Sequence, residues 1–394
     1  MVFPERFANL PAYAFPRLRS LLDAHMPGGE VINMTIGEPR HPFPGWVADV
    51  LARHIDEFAK YPPNPGAPEL LEVISGWLSQ RYGVSVGTDR ILALNGTREG
   101  LYNAVLALCP EQKAGKKPVI LTPNPFYQVY MMGALTLGAE PVFVPATAET
   151  GFLPDYASLP DETLDRTAIA FVCSPSNPQG AVADDAYWRT LIALAEKHDF
   201  LVIADECYSE IWRDAPPPGG LAASAALGAD PERMLVFHSL SKRSNLPGLR
   251  SGFCAGGPKC IAAMNELRAY SGAPLPLPLQ RVAERIWADE THVEANRALY
   301  HEKYALADAI FGQMPDYVPP KGGFFLWLPV PEGDGEAAAL RLWTETGVRV
   351  LPGGYLGRSV DGANPGDPFI RVAMVAPLEE CERGLKRIRD GLYR

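Results

Sequence analysis

The chemistry of this 394-residue chain begins at one lysine set among small and hydroxylated residues. In Ser239-Leu-Ser-Lys-Arg-Ser-Asn-Leu-Pro-Gly-Leu-Arg-Ser-Gly-Phe253 the apolar run Met234-Leu-Val-Phe237 leads in, so Lys242 stands just past a buried strand in a Ser-rich turn. A desolvated amine loses basicity and becomes a nucleophile toward an aldehyde. Arg250, eight residues on, offers a planar cation that suits a phosphate. Taken alone, the two also read as surface charges on a loop.

Other polar residues repeat the pattern of a reactive group at the end of an apolar run. Asp205, in Ile203-Ala-Asp-Glu-Cys-Tyr208, is a carboxylate leaving a buried strand; it needs a partner such as a protonated ring nitrogen, or it caps a helix. Tyr208 lies within reach of the same group. Asn177, in Ser174-Pro-Ser-Asn-Pro-Gln-Gly180, is a side-chain donor or an ordinary Asn-Pro turn. Asn95-Gly-Thr-Arg-Glu99 joins a strand to a helix, so the amides around Gly96 and Thr97 offer a phosphate cradle and Arg98 a cation, or the stretch is a plain connection. Tyr127, in Pro123-Asn-Pro-Phe-Tyr-Gln128, is an aromatic that stacks on a planar ring or simply packs. Arg371 interrupts the apolar strand Phe369-Ile-Arg-Val372; a buried guanidinium calls for a carboxylate, either a ligand's or the protein's own.

These residues need elements to position them. Apolar runs at 91–94, 118–121, 141–144, 168–172, 200–204, 234–237 and 252–255 lack alternation, as expected of strands covered on both faces. With helical segments between them they predict an α/β architecture, a mostly parallel seven-stranded sheet between helices that binds ligands at the strands' carboxyl ends. Before the sheet, helices are predicted over 13–25 (Phe15, Leu18, Leu21, Leu22), 46–58 and 69–82. The Pro-rich loop Tyr61-Pro-Pro-Asn-Pro-Gly66 is stiff enough to present a side chain at a fixed place. After the Pro-rich joint 272–278, one long helix over about 279–313 is predicted. Strands at 323–328, 348–351 and 369–375 and helices near 335–345 and 377–392 follow, a smaller α+β unit. The expected division is 1–40 as N-terminal arm and part of the small domain, 41–275 as the large domain and 276–394 as the small domain.

Bulk composition narrows the partners. Lys plus Arg total 36 against 46 Asp plus Glu, a net charge of −10 that argues against nucleic acid and anionic membranes. Six scattered cysteines without CxxC spacing read as thiols in a reducing compartment, not as metal ligands. Met1-Val-Phe-Pro-Glu-Arg6 lacks a basic region followed by an apolar one, and a cytoplasmic location is expected.

Taken together, Asn177-Pro178, Asp205 with Tyr208, Ser239-x-Ser-Lys242, Arg250 and Arg371, at separations of 28, 37, 8 and 121, resemble the fold-type-I pyridoxal-phosphate-dependent aminotransferases of classes I and II. Within these, Ile36-Gly-Glu-Pro-Arg-His-Pro42, Val348-Arg-Val-Leu-Pro-Gly-Gly354 and Val375-Ala-Pro-Leu-Glu-Glu-Cys381 are most similar to the succinyldiaminopimelate aminotransferases of bacterial lysine biosynthesis. The resemblance implies pyridoxal 5'-phosphate (PLP) bound to Lys242 as a Schiff base, with Lys242 also moving the proton. It implies Asp205 at the pyridine nitrogen, Tyr208 and Asn177 at the phenolic oxygen, and Tyr127 stacked on the ring. The phosphate falls to Gly96, Thr97, Arg98, Ser239 and Arg250, with Tyr61 arriving from the other subunit of a homodimer. Arg371 would grip the substrate α-carboxylate beside Gly37 and Asn177. The substrates implied are an amino acid and a 2-oxo acid, N-succinyl-LL-2,6-diaminopimelate with 2-oxoglutarate. An aspartate or aromatic aminotransferase and a C–S lyase share the same scaffold. A PLP-binding regulator would need a DNA-binding module that residues 1–30 are too short to supply. For a distal carboxylate, Arg40, His41, Arg268 and Lys321 are candidates, Arg40 or His41 first because they continue from Gly37.

Overall fold

A computed structural model describes residues 5–7, 10 and 12–394; most of the N-terminal stretch read above for a targeting signal lies outside the described residues. The large sheet runs Ile91–Leu94, Gly252–Gly256, Met234–Ser239, Leu201–Asp205, Thr167–Cys173, Val119–Asn124, Glu140–Pro145. The last five are mutually parallel, while Gly252–Gly256 is antiparallel to both its neighbours. This is the α/β sheet expected, on the seven runs expected.

The missing alternation has a physical cause. Successive side chains on a strand point to opposite faces. Ile169, Phe171, Leu235 and Phe237 join an apolar cluster with Tyr130 and Met264 on one face. Ala170, Val172, Met234 and Val236 join Trp188, Trp77 and Trp287 on the other. With both faces packed, the inner strands carry few polar side chains, Thr122 and His238 among them, and most polarity is pushed to the strand ends. Asp205 and Ser239 are the terminal residues of their strands.

The smaller unit pairs Leu351–Pro352, Phe369–Ala373 and Phe325–Pro329 antiparallel, beside Ile32–Asn33 parallel to Val348–Arg349. Thr291–Phe311, Gly335–Thr346 and Leu378–Leu392 contribute to its core with Tyr300, Phe311, Leu342 and Ile388. The helix Ala14–Leu22 buries Leu18 and Leu22 against Trp327 and Trp343, leaving Phe15 and Leu21 half-buried.

Several expectations need correction. The stretch 46–58 is α-helical over Val47–Arg53 only, followed by a 3₁₀ turn, Ile55–Ala59. The single helix over 279–313 is two, Leu277–Trp287 and Thr291–Phe311. At the break, Asp289 Oδ1 accepts from the Thr291 amide at 3.0 Å, while Glu290 is taken by Arg243 and by Trp77 Nε1 (3.0 Å). Helix Pro258–Ser271 was not expected, because its buried face is only Ile261, Met264 and an arginine, Arg268. Leu277–Trp287 also packs its apolar face, Val282, Ala283, Ile286 and Trp287, with the cluster under the large sheet. We therefore propose that the two units divide at 288–290 rather than at 276. Among the described residues no helix is long and apolar enough to cross a membrane.

Arg268 is fully buried: its Nε donates to Glu99 Oε1 at 2.7 Å and its Nη1 to the carbonyls of Ala93 (3.0 Å) and Asn64 (3.3 Å). It ties its helix to the sheet edge and does not line the ligand cavity, which removes it as a distal-carboxylate reader. Removing one partner of a buried pair strands the other. Arg268→Ala is expected to lower the unfolding free energy by about 3–5 kcal/mol in a urea titration.

Candidate active site

Between the carboxyl ends of the sheet and the smaller unit lies a cavity of about 340 Å³. Gly37, Thr97, Arg98, Tyr127, Asn177, Asp205, Tyr208, Ser239, Lys242, Arg250 and Arg371 all line it. Gly96 stands directly behind: its backbone has φ +87°, and a Cβ there would collide with the Arg250 guanidinium. Residues scattered over 335 positions therefore meet in one place.

Lys242 occupies a single helical turn, Leu240–Arg243, capped by Ser239, whose Oγ accepts from the Ser241 amide at 3.1 Å. Its Nζ donates to the Gly37 carbonyl and lies 5.5 Å from the centre of the Phe324 ring. Burial pushes its pKa down to about 8; Cys207 and Glu38 oppose that shift, and the positive Arg371 and Arg250 reinforce it.

Asp205 is buried, and its desolvation raises its pKa. Its Oδ2 accepts from the Tyr130 hydroxyl at 2.8 Å and its Oδ1 from the Cys207 amide at 3.3 Å. Tyr208 packs edge-on against Phe324 and Phe325. Arg371 is buried yet makes no ion pair among the described residues. Its Nη1 donates to Asn177 Oδ1 (2.9 Å), its Nη2 to the Thr35 carbonyl (2.8 Å), and its guanidinium lies over the Phe325 ring at 4.2 Å. Its Nε has no partner, and burial pushes its pKa down to about 10. The structural ion pair that the sequence left open for Arg371 is thus not what forms.

At the other end of the cavity, Thr97 begins the helix Thr97–Leu108, whose first amides have no intrahelical acceptor. Arg250 sits against Gly96 with Nη1 donating to the Pro247 carbonyl at 2.7 Å. The Arg98 side chain goes elsewhere: its Nε donates to the Tyr127 hydroxyl at 2.6 Å.

The remaining candidates lie apart. Tyr61 is wholly exposed on its Pro-rich loop, outside this chain's cavity. Arg40 is paired with Glu380 at 2.7 Å. His41 is held by Asn296 (2.8 Å) and by Lys303 Nζ (2.6 Å). Lys321 is exposed, with its amide bonded to the Gly180 carbonyl. None of the three lines the cavity, so neither the favoured Arg40 or His41 nor Lys321 reaches a substrate there. Sequence reasoning also missed Glu38, Cys207, Ser241 and Tyr130. The first three adjoin residues already singled out, and Tyr130 lies one helical turn beyond Tyr127.

A low-basicity lysine and a buried carboxylate at the strand ends of a wound sheet face a guanidinium from the smaller unit that has no ion pair among the described residues, a set suited to chemistry on the carbonyl and amino groups of carboxylic acids. Comparison with known proteins gives the family. Residues 29–388 match the family model described as aminotransferase class I and II. The chain is 32% identical over 398 residues to the LL-diaminopimelate aminotransferase of Dehalococcoides mccartyi, covering 99% of each. Its structure matches an aminotransferase from Neisseria meningitidis with a TM-score of 0.94 and 39% identity, over 98% of this chain and 99% of that one. A probable N-succinyldiaminopimelate aminotransferase from Thermus thermophilus matches with a TM-score of 0.81 and 28% identity, over 96% and 98%. This protein belongs to the class I and II aminotransferases, which depend on PLP.

The residues present fit that cofactor. The glycine cradle with Arg250 and open helix amides suits a phosphate, Lys242 an aldehyde, and the orphaned Arg371 Nε a substrate carboxylate. Lys242 in the apoprotein is expected to react with an acylating reagent along a pH profile with its midpoint near 8, protonated and inert below it. A midpoint near the ordinary lysine value of 10.5, read by mass spectrometry, would contradict the desolvation seen here.

Proposed function

We propose that this enzyme exchanges an amino group between N-succinyl-LL-2,6-diaminopimelate and 2-oxoglutarate. The observation that carries amino-acid transamination is Arg371: a buried guanidinium whose Nε is unused and which meets no carboxylate among the described residues, lining the same cavity as Lys242. When bound, PLP supplies an electron sink for the bond broken at the substrate α-carbon.

In this reading Asp205 would hold the ring nitrogen. Tyr208 would serve the phenolic oxygen with Asn177, whose Oδ1 is engaged by Arg371 while its Nδ2 remains a donor. Tyr127 would stack on the ring, with Arg98 holding its hydroxyl. Gly96, Thr97, Ser239 and Arg250 would hold the phosphate. Arg371 takes the α-carboxylate beside Gly37 and Asn177, and Lys242 Nζ takes the α-proton and returns it. Burial suits that last task, since an amine near pKa 8 is partly neutral at working pH.

A long diacid also needs a distal cation. Arg98 is the cavity-lining arginine with the most to offer: among the described residues only its Nε is engaged, leaving both Nη groups. We assign it that role in place of the phosphate. A second reading, free LL-diaminopimelate, is favoured by the names of relatives such as that of Dehalococcoides and by Glu38. Its carboxylate lines the cavity without a partner among the described residues and would suit a distal ammonium. We also propose a homodimer in which Tyr61 enters the partner's cavity; its full exposure on a stiff loop supports this.

Single-turnover absorbance of the PLP form tests the reaction. Conversion by the succinylated diacid and by glutamate is expected, with Arg98→Ala weakening kcat/KM for the diacid about 10- to 150-fold relative to alanine, the worth of a charged hydrogen bond. Faster conversion by free LL-diaminopimelate selects the second reading, and by aspartate or an aromatic amino acid a different specificity. Pyruvate and ammonia released from a cysteine-type substrate without an oxo acid would indicate the lyase. Sedimentation at the mass of two chains is expected; a monomer with full activity would remove Tyr61 from the site.

A further inference from the structure

Tyr130 is fully buried on the helix Val129–Leu137, with its ring stacked on Phe171 at 4.3 Å and edge-on to Tyr127 at 5.8 Å. These contacts aim its hydroxyl at Asp205 Oδ2, 2.8 Å away. The Cys207 amide, part of the turn that leaves the same strand, donates to Oδ1. Each oxygen thus has a donor from the protein, and the Cys207 side chain adds a further hydrogen bond; together they fix the plane of the carboxylate and favour its charged form against the penalty of burial.

We propose that Tyr130 is the positioning residue that orients Asp205 and keeps it ionised toward the cofactor's ring nitrogen. This rests on the reading of Asp205 given above. The packing suits a fixed donor. The phenol is clamped between Phe171 and Tyr127 with Cys173 also beside its hydroxyl, and its burial pushes its own pKa up, so it remains a neutral donor. The groups facing Asp205 from adjoining elements behave alike. Cys173, Cys207, Tyr127 and Tyr208 are all pushed up by burial and stay neutral, and His238 on the neighbouring strand is the one other titratable group acting on it. A change in the protonation of the cofactor–Asp205 pair on loss of the hydroxyl is therefore traceable to Tyr130.

The test compares Tyr130→Phe, which keeps the ring and its stacking, with Asp205→Asn and the double variant, all in the full chain. Titration of each apoprotein with PLP, followed by absorbance, is expected to show about 10- to 100-fold weaker binding for Tyr130→Phe. The pH dependence of the bound cofactor's visible band is expected to shift, and kcat to fall with KM for the amino donor unchanged, because Arg371 is untouched. The double variant is expected to lose little beyond Asp205→Asn, since both changes break one interaction. If Asp205→Asn itself leaves PLP affinity and the band unaltered, the placement of Asp205 fails. If Asp205→Asn alters both while Tyr130→Phe alters neither, the role of Tyr130 fails alone. Loss of urea stability in Tyr130→Phe with an unchanged cofactor constant and pH profile would make it a packing residue and overturn the proposal.

Discussion

The interaction on which this structure turns is an incomplete one, the buried guanidinium of Arg371. A desolvated cation normally collects a carboxylate, because leaving it unpaired is costly by several kcal/mol. Here three separate segments hold it with neutral acceptors and an aromatic face: Asn177 from beyond the sheet, the Thr35 carbonyl from the N-terminal connection, and Phe325 from the smaller unit. That arrangement keeps the charge oriented without neutralising it. A ligand carboxylate is then the missing partner, and the same positive field helps hold Lys242 well below the ordinary lysine range.

The coupling between units follows from how these segments are tied. Lys242 donates to the Gly37 carbonyl, and the loop carrying Gly37 is held from behind. His41 meets Asn296 and Lys303, Asn296 Oδ1 accepts from Asn245 Nδ2 at 3.1 Å, and Asn245 follows Lys242 by three residues. Arg243 adds an ion pair to Glu290 at the turn between the two units. The lysine, the loop opposite it and the helix Thr291–Phe311 are thus tied to one another by a continuous set of hydrogen bonds. His41, adjacent to this loop in sequence, faces the scaffolding, and Arg40 is taken by Glu380.

Much of this was legible in the sequence, and what was not has a common cause. The seven strands were legible because two covered faces leave uninterrupted apolar runs, and the reactive residues because a fully packed sheet allows polarity mostly at its ends. Lys242, Asp205 and Asn177 show this, while Arg371 stood out as a charge inside an apolar strand of the smaller unit. What escaped is polarity placed inside by tertiary partners. Arg268 sits on a buried helix face where periodicity expects an apolar residue, since Glu99 and two carbonyls receive it. The turn at 288–290 is set by Arg243 and Trp77, distant in the chain. Tyr130 reads as one more core aromatic, and only Asp205, 75 residues on, gives its hydroxyl a purpose.

The same placement makes the fold and its ligands interdependent. For Lys242 the folded pKa lies below the unfolded one, so between about 8 and 10.5 the unfolded chain binds more protons at this site and stability rises with pH. Below that window both states are protonated, and the folded protein carries the charge of Lys242 in a cavity shared with Arg250 and Arg371. These cations repel one another, Glu38 offsetting part of that, until anions arrive. A phosphate at Arg250 and a carboxylate at Arg371 relieve that repulsion in the folded state alone, and whatever binds the folded state alone stabilises it by mass action. A site that gathers cations in this way is thus most stable when occupied, and the burial and positive neighbours that lower the basicity of the lysine also make the cavity receptive to anions.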